Sequence, residues 1–283
     1  MRGRRLQTLA VAASLAIASI ITLLPFVWLA CGSLKSNAIF FESLLLPRGD
    51  GLLGIDWRAL TLDNYVRLFA DLQFGRSLVL SVFYASLTSV LATASCAMGG
   101  YALARLPFRG SRPVTIAVLA AVLIPPPLLL APGYQLLYHL NLLDTLSGMV
   151  LPALAPAFGV FLFRQAALSS VPRELLESAR VDGSGELRTF LVVGLPLLRP
   201  MIGTFTVITF LGVWNNFITP QVVLQDPTKY PVSVAVASLR GIYYQDYGLQ
   251  MAGVATAIVP LLIMFTLAQK DLVAGLTAGA VKG

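Results

Sequence analysis

Trp214, Asn215, Asn216 and Tyr84 are the side chains in this sequence best suited to meet a polyhydroxylated solute inside an apolar surround. Amides exchange hydrogen bonds with hydroxyls, and an indole or phenol ring offers an apolar face to the C–H side of a pyranose. Asparagines within a membrane also hydrogen-bond neighbouring helices, so the pair carries a packing reading beside the solute-contact one. Ser81, Thr88 and Ser95 recur with Tyr84 at near-helical spacing and would line the same path. Nucleophilic, metal-dependent and phosphate-loop chemistry all lack material. The single histidine, His139, cannot build a catalytic network and fits a place near a membrane interface. Cys31 and Cys96 each lie in an apolar run without disulfide or metal-ligand spacing. No Gly-x-x-x-x-Gly-Lys-Ser/Thr sequence is present, so the chain itself is not expected to hydrolyse ATP.

The second distinctive stretch is charged, and it occupies residues 174–196 between two long apolar runs. It contains Glu174, Glu177-Ser178-Ala179-Arg180, Asp182-Gly183 and Val193-Gly194-Leu195-Pro196. Pro172 followed by two acidic residues suits a helix start, because proline is tolerated in the first turn and carboxylates favour the positive end of the helix dipole. Asp182-Gly183 is a turn signal that should end the helix. About two and a half turns fit between, with Leu175, Leu176 and Ala179 on one side and charges on the other. Ser178 and Ala179 are small enough to let a partner surface approach. A helix of this kind taken alone could equally rest on a bilayer surface.

Both groups need a membrane to position them. Charged residues make up 12% of the chain and hydrophobic ones 57%, against about 25% charged in an ordinary soluble domain. Mean hydropathy is +0.80. Lys plus Arg (20) exceed Asp plus Glu (13), but the basic residues form no tract, which excludes a nucleic-acid footprint and reads as topogenic charge. A helix needs about 20 apolar residues to cross the hydrocarbon. Intervals free of charge lie at 5–35, 76–105, 112–144, 144–164, 199–226 and 246–270, giving six expected spans. The third holds Pro125-Pro126-Pro127, which predicts a kink or an early helix end. With the N-terminus inside, Arg2, Arg4, Arg5, Arg105, Arg109, Arg112, Arg164, Arg173, Arg180, Arg188, Arg199, Lys270 and Lys282 fall on the cytoplasmic face. The outer face keeps Lys35, Arg48, Arg58, Arg67, Arg76, Lys229 and Arg240, offset in its first loop by Glu42, Asp50, Asp56, Asp63 and Asp71. The expected fold is therefore all-α and polytopic, N-in and C-in, a single domain over 1–283 with a cytoplasmic helix between spans 4 and 5.

Met-Arg-Gly-Arg-Arg is a good basic lead for a signal peptide, but the apolar run at 6–34 exceeds the usual length and no small-residue cleavage site follows, so it reads as an anchor. Between spans 1 and 2, residues 60–69 read as a short amphipathic helix capped by Thr61 or Asp63. It would either touch an extracytoplasmic partner or lie on the bilayer.

The charged stretch resembles the cytoplasmic "EAA" loop of bacterial importer permeases driven by ATP-binding-cassette subunits. In that family the loop's glycine is followed, after nine residues, by an aliphatic residue, a spacer and Leu-Pro. Gly183 and Val193-Gly194-Leu195-Pro196 keep that spacing. Ser178 stands where alanine is usual, and Val193 where isoleucine is common. Residues 268–283, ending Gly-Leu-Thr-Ala-Gly-Ala-Val-Lys-Gly, are similar to the C-terminus of the maltose-type second permease, and Trp214-Asn-Asn-Phe217 with Pro220 resembles the fifth-span signature of carbohydrate permeases.

The resemblance implies a permease subunit translocating a carbohydrate into the cytoplasm through a bacterial inner membrane. A glycerol-phosphate or other polyol is the alternative cargo. It implies ATPase docking by Glu174, Glu177, Ser178, Ala179, Arg180, Asp182 and Gly183. It implies as partners a homologous second permease, two ATPase subunits that bind the ATP and magnesium, and an extracytoplasmic solute-binding protein. The thin, glycine-containing tail would reach the interface of the ATPase subunits. Rival classes, a secondary transporter, a channel or an intramembrane enzyme, would need polar chemistry deep in the spans, and the apolar intervals contain no Asp, Glu, Lys or Arg.

Overall fold

The computed structural model describes the backbone of residues 2–240 and 245–280 and the side chains of 7–240, 245–267 and 269. In chain order the helices are α1 (Arg2–Ser33), α2 (Asp63–Val66), α3 (Phe74–Arg105), α4 (Ser111–Val122), α5 (Leu130–His139), α6 (Leu146–Val150) and α7 (Ala157–Ser170). They continue as α8 (Arg173–Val181), α9 (Glu186–Thr189), α10 (Leu195–Leu197), α11 (Arg199–Trp214), α12 (Ile218–Val223), α13 (Val232–Ser238) and α14 (Tyr247–Ala280). Extended pairing among the described residues is confined to isolated bridges at Lys35 and Leu60, Arg48 and Ile55, and Arg240 and Gln245.

Three stretches are single helices long and apolar enough to cross a bilayer: Gln7–Ser33, Phe74–Arg105 and Tyr247–Leu267. Three more reach that length only as bent pairs: Ser111–Val122 with Pro126–His139 at 102°, Leu146–Ala153 with Ala157–Ser170 at 42°, and Glu186–Leu197 with Arg199–Trp214 at 79°. Proline explains the breaks, since it removes a backbone donor and clashes with the preceding turn. Pro125 and Pro156 both stand in extended backbone, with ψ 126° and 128°, ahead of the helix that follows. The third break falls at Leu198, just before Pro200.

The chain forms two compact units, residues 1–76 with 235–260, and residues 77–234 with 261–283. In the first, the end of α1 is tied to the segment between α1 and α3 by polar bonds. The Asn64 amide donates to the carbonyls of Ser33 (2.9 Å) and Lys35 (2.8 Å), and the Tyr65 hydroxyl donates to Ser33 Oγ at 2.8 Å. Lys35 is buried, donates to the Ser43 carbonyl at 2.6 Å, and is held below the ordinary lysine pKa by that burial. Arg67 pairs with Asp246 at 2.7 Å. The expected amphipathic helix is present but short: α2 continues as a π-helical turn over Arg67–Asp71. Leu62 occupies its N-cap position, and the Thr61 hydroxyl accepts from the Asp63 N–H at 3.0 Å.

The second unit packs α3, α7 and α8 around Cys96, Ala97, Tyr101, Phe163, Ala167, Val171, Leu176, Phe190 and Phe205. Gly100 permits this approach, because a Cβ there would stand 2.6 Å from the Arg164 nitrogen. At the end of α3 the Arg105 guanidinium donates to the carbonyls of Ala167 (3.1 Å) and Leu168 (2.9 Å) in the last turn of α7. His139 ends α5 on the exposed surface. The C-terminal segment expected as a thin strand is helical in backbone through Ala280, as its alanine and leucine content favours. Its side chains from 270 on, and residues 281–283 altogether, lie outside the described residues.

Candidate functional site

The amides of the fifth apolar interval sit where α11 ends and α12 begins. Trp214, the last residue of α11, is buried at 4% exposure and stacks on Phe210 with ring centroids 5.9 Å apart. Its ring packs on Phe210, and Trp214 is not among the residues lining the cavity that Asn216 faces. Asn215 is exposed and donates its amide to the Leu211 carbonyl at 2.9 Å, capping α11. Asn216 does the converse for α12: its Oδ1 accepts from the Thr219 N–H at 3.2 Å while its Nδ2 donates to Thr219 Oγ1 at 3.0 Å. Asn216 thus satisfies a backbone N–H left unpaired by the helix break, whereas Asn215 adds a second donor to a carbonyl that already accepts its own backbone N–H at 3.1 Å. Among the described residues the side-chain bonds of both are local, within three or four positions.

Asn216 nevertheless lines a cavity of about 190 Å³ together with Ser81, Tyr84, Thr88 and Thr219, closed by Met149, Pro152, Ala153, Val213, Pro220 and Pro231. Ser81, Tyr84 and Thr88 reach it because they share one buried face of α3 at spacings of three and four. Ser95, on the same helix, is elsewhere: its hydroxyl bonds the Leu154 carbonyl. The cavity walls carry hydroxyls, one amide and apolar groups, and no ionisable acid or base apart from the Tyr84 phenol. Such a lining solvates a neutral, hydroxylated molecule and gives an ion nothing to pair with.

A pair absent from the sequence reading stands beside it. Asp144 receives Lys229 Nζ at 2.5 Å and the N–H groups of Gln225 and Asp226 at 3.0 and 3.1 Å. The Lys229 ammonium, then the two amides, hold the Asp144 carboxyl down to about 2. Asp144 in turn raises Lys229 above the ordinary lysine value. No local spacing signals this contact, since the partners are 85 positions apart.

At the other chemically distinctive stretch, α8 begins after Pro172 and ends at a left-handed Gly183, φ 79°. The Ser184 N–H bonds the Ala179 carbonyl at 2.9 Å and the Gly183 N–H bonds Arg180 at 3.0 Å, the two bonds of a Schellman stop. Leu176 alone anchors the helix, at 2% exposure in the core. Leu175, expected beside it, is 46% exposed, because adjacent helical residues diverge by about 100°. Glu174, Glu177, Ser178, Arg180, Asp182 and Gly183 are exposed, and Ala179 is half-buried. Val181 (88%) and Leu187 (67%) stand bare at the same tip. The Arg180 guanidinium grips Glu186 at 2.9 and 3.3 Å, fixing α8 to the first turn of α9. Sequence reading missed Glu186, Val181 and Leu187, for which only the three-dimensional turn supplies the neighbours.

Known proteins match this arrangement along nearly its whole length. The arabinooligosaccharides transport system permease protein AraQ of Bacillus subtilis (strain 168) is 36% identical over 270 residues, 94% of this chain and 92% of that protein. The trehalose/maltose transport system permease protein MalG of Thermococcus litoralis is 28% identical over 287 residues, covering both chains fully. A solved bacterial ABC transporter involved in import of the acidic polysaccharide alginate superimposes with a TM-score of 0.80 at 23% identity, covering 95% of this chain and 98% of that one, which shows the shared fold. Matched over residues 96–270 by the family described as "Binding-protein-dependent transport system inner membrane component", the chain belongs to that family, whose members are the inner-membrane permease components of ABC importers, transporter subunits and not enzymes.

Proposed function

We propose that this permease carries a neutral carbohydrate, a sugar or short oligosaccharide, into the cytoplasm. The observation that carries the reading is the cavity of Ser81, Tyr84, Thr88, Asn216 and Thr219, polar without an acidic or basic lining residue. The sugar-uptake names of the relatives support it. A phosphorylated polyol is less well served, because the cation nearest this cavity, Lys229, is already paired with Asp144.

The chain works as one permease domain over 1–283 with six spans, N-in and C-in, each bent pair counting as a single crossing. Contacts within the second unit support alternation: Arg105 meets the end of α7 on one side, and Asp144 meets Lys229 on the other. A second permease completes the path, and a solute-binding protein delivers the cargo outside. Two ATPase subunits sit on the cytoplasmic face, and one of them docks on α8 through Glu174, Glu177, Ser178, Ala179, Arg180, Asp182 and Gly183, with Val181 and Leu187 as the apolar contact. Closure of the ATPases then shifts α8 as a rigid lever, and the spans exchange between two arrangements that nucleotide and solute each favour differently.

The test is ATPase stimulation in proteoliposomes holding the complete transporter, with its binding protein presented to neutral oligosaccharides and to glycerol phosphates. Stimulation and uptake are expected with a neutral sugar. A response to glycerol phosphates alone would overturn the carbohydrate assignment.

A further inference from the structure

Residues 224–231 form a strap with buried ends and an exposed middle that runs from the end of α12 to Pro231 in the cavity wall. Val223, Leu224, Val232 and Val234 are each at most 3% exposed, whereas Gln225, Pro227 and Thr228 are exposed. Pro231 lines the cavity itself, the Val232 N–H donates to Ser81 Oγ at 2.6 Å, and the Tyr84 hydroxyl makes a long bond to the Lys229 carbonyl at 3.5 Å. Between those anchors the strap's polar contacts converge on Asp144. Its carboxylate takes Lys229 Nζ and the Gln225 and Asp226 N–H groups, while its carbonyl accepts a second bond from Lys229 Nζ at 2.9 Å.

We propose that the Asp144–Lys229 pair is the latch of an outer gate: fastened, it holds the strap across the cavity, and released, it lets residues 225–230 lift and admit solute from the outer side. The proposal rests on the reading of this cavity as part of the transport path. Three features suit a latch better than a permanent rivet. The two side chains are 39% and 26% exposed, so water can replace each partner at low cost. Asp144 holds φ 57°, a left-handed backbone that an aspartate tolerates but does not prefer, so the closed form carries local tension. Finally, one carboxylate gathers three donors, so the middle of the strap is held chiefly from a single point. Such a hold suits a two-state element, in contrast to a graded one.

The experiment measures access to the cavity without solute or ATP. A single cysteine replaces Ala153, which lines the cavity and takes no part in the latch, in a background where Cys31 and Cys96 are alanine. Right-side-out vesicles bearing the complete transporter are treated with a membrane-impermeant methanethiosulfonate. Asp144→Asn and Lys229→Gln should each speed labelling by about fivefold, the population change an ion pair of this exposure supports, and the double variant should do no more than either alone. Unchanged labelling in both single variants overturns the latch, as does a double variant whose effect is the product of the two. Faster labelling combined with uptake indifferent to changes at Tyr84 would retain the latch and remove the transport reading of the cavity, so the two ideas fail separately.

Discussion

At residue scale, Asn216 shows how one side chain can hold two roles that sequence alone presents as rivals. Its amide caps α12 through Thr219, yet the residue also faces the cavity. The two roles part under substitution. Asn216→Leu loses cap and cavity amide together, and the lost cap should cost about 1 kcal/mol of stability. Asn216→Ser keeps a capping oxygen while shortening the cavity group, so melting of the detergent-purified complex should stay near wild type while solute-stimulated ATPase weakens several-fold. Asn215→Leu, which loses only its bond to Leu211, should shift melting without altering solute dependence. Equal solute dependence in Asn216→Ser and wild type would confine Asn216 to the capping role. That two amides interrupt an apolar run was legible in the sequence; that they sit at a helix break was not, because the break at 215–217 carries no proline or glycine to announce it.

At the scale of elements, α8 is the clearest case in which local sequence dictates local structure. Gly183 supplies the positive φ that a Schellman stop requires, and Ser178 turns its hydroxyl back to the Glu174 carbonyl at 2.9 Å. Gly183→Pro forces φ near −65° and deletes the N–H that bonds Arg180, so the stop cannot form. Glu177→Lys leaves the helix intact but reverses charge at an exposed position beside Arg173 and Arg180, which share a cleft with it. Both variants should reach the membrane at normal levels, lose uptake, and release ATPase subunits more readily on washing. Full uptake with normal ATPase association in both would remove α8 from the docking role. What the local pattern could not supply was the far side of the turn: Glu186 clamps Arg180 because α9 starts three residues after Gly183, a matter of spatial return that helical periodicity within α8 does not encode.

At the scale of the whole molecule, three of the charge-free intervals coincide with single helices of membrane length, and the other three overlap bent pairs, one of which has its first arm, Glu186–Leu197, outside the interval. The intervals did not foretell how many crossings are broken. Only the turn at Pro125-Pro126-Pro127 was plain, because a single proline, as at Pro25 in α1 or Pro260 in α14, leaves a helix unbroken here. Lys35 is likewise a limit of charge counting: tallied as a loop cation, it lies buried against Ser43 and Phe40 and would be invisible to a surface reagent. The orientation must therefore be tested at positions that the fold leaves open. Arg109, in the exposed turn between α3 and α4, and Asp50, in the exposed segment between α1 and α2, meet that need, whereas Ser184 is engaged by Thr189 at 3.0 Å. With Cys31 and Cys96 replaced, Asp50→Cys should react with an impermeant maleimide in intact spheroplasts, and Arg109→Cys only after permeabilisation, as the arginine-rich inner loops require. Reaction of Arg109→Cys in intact spheroplasts would invert the topology, and with it place α8 on the face where no ATP is found.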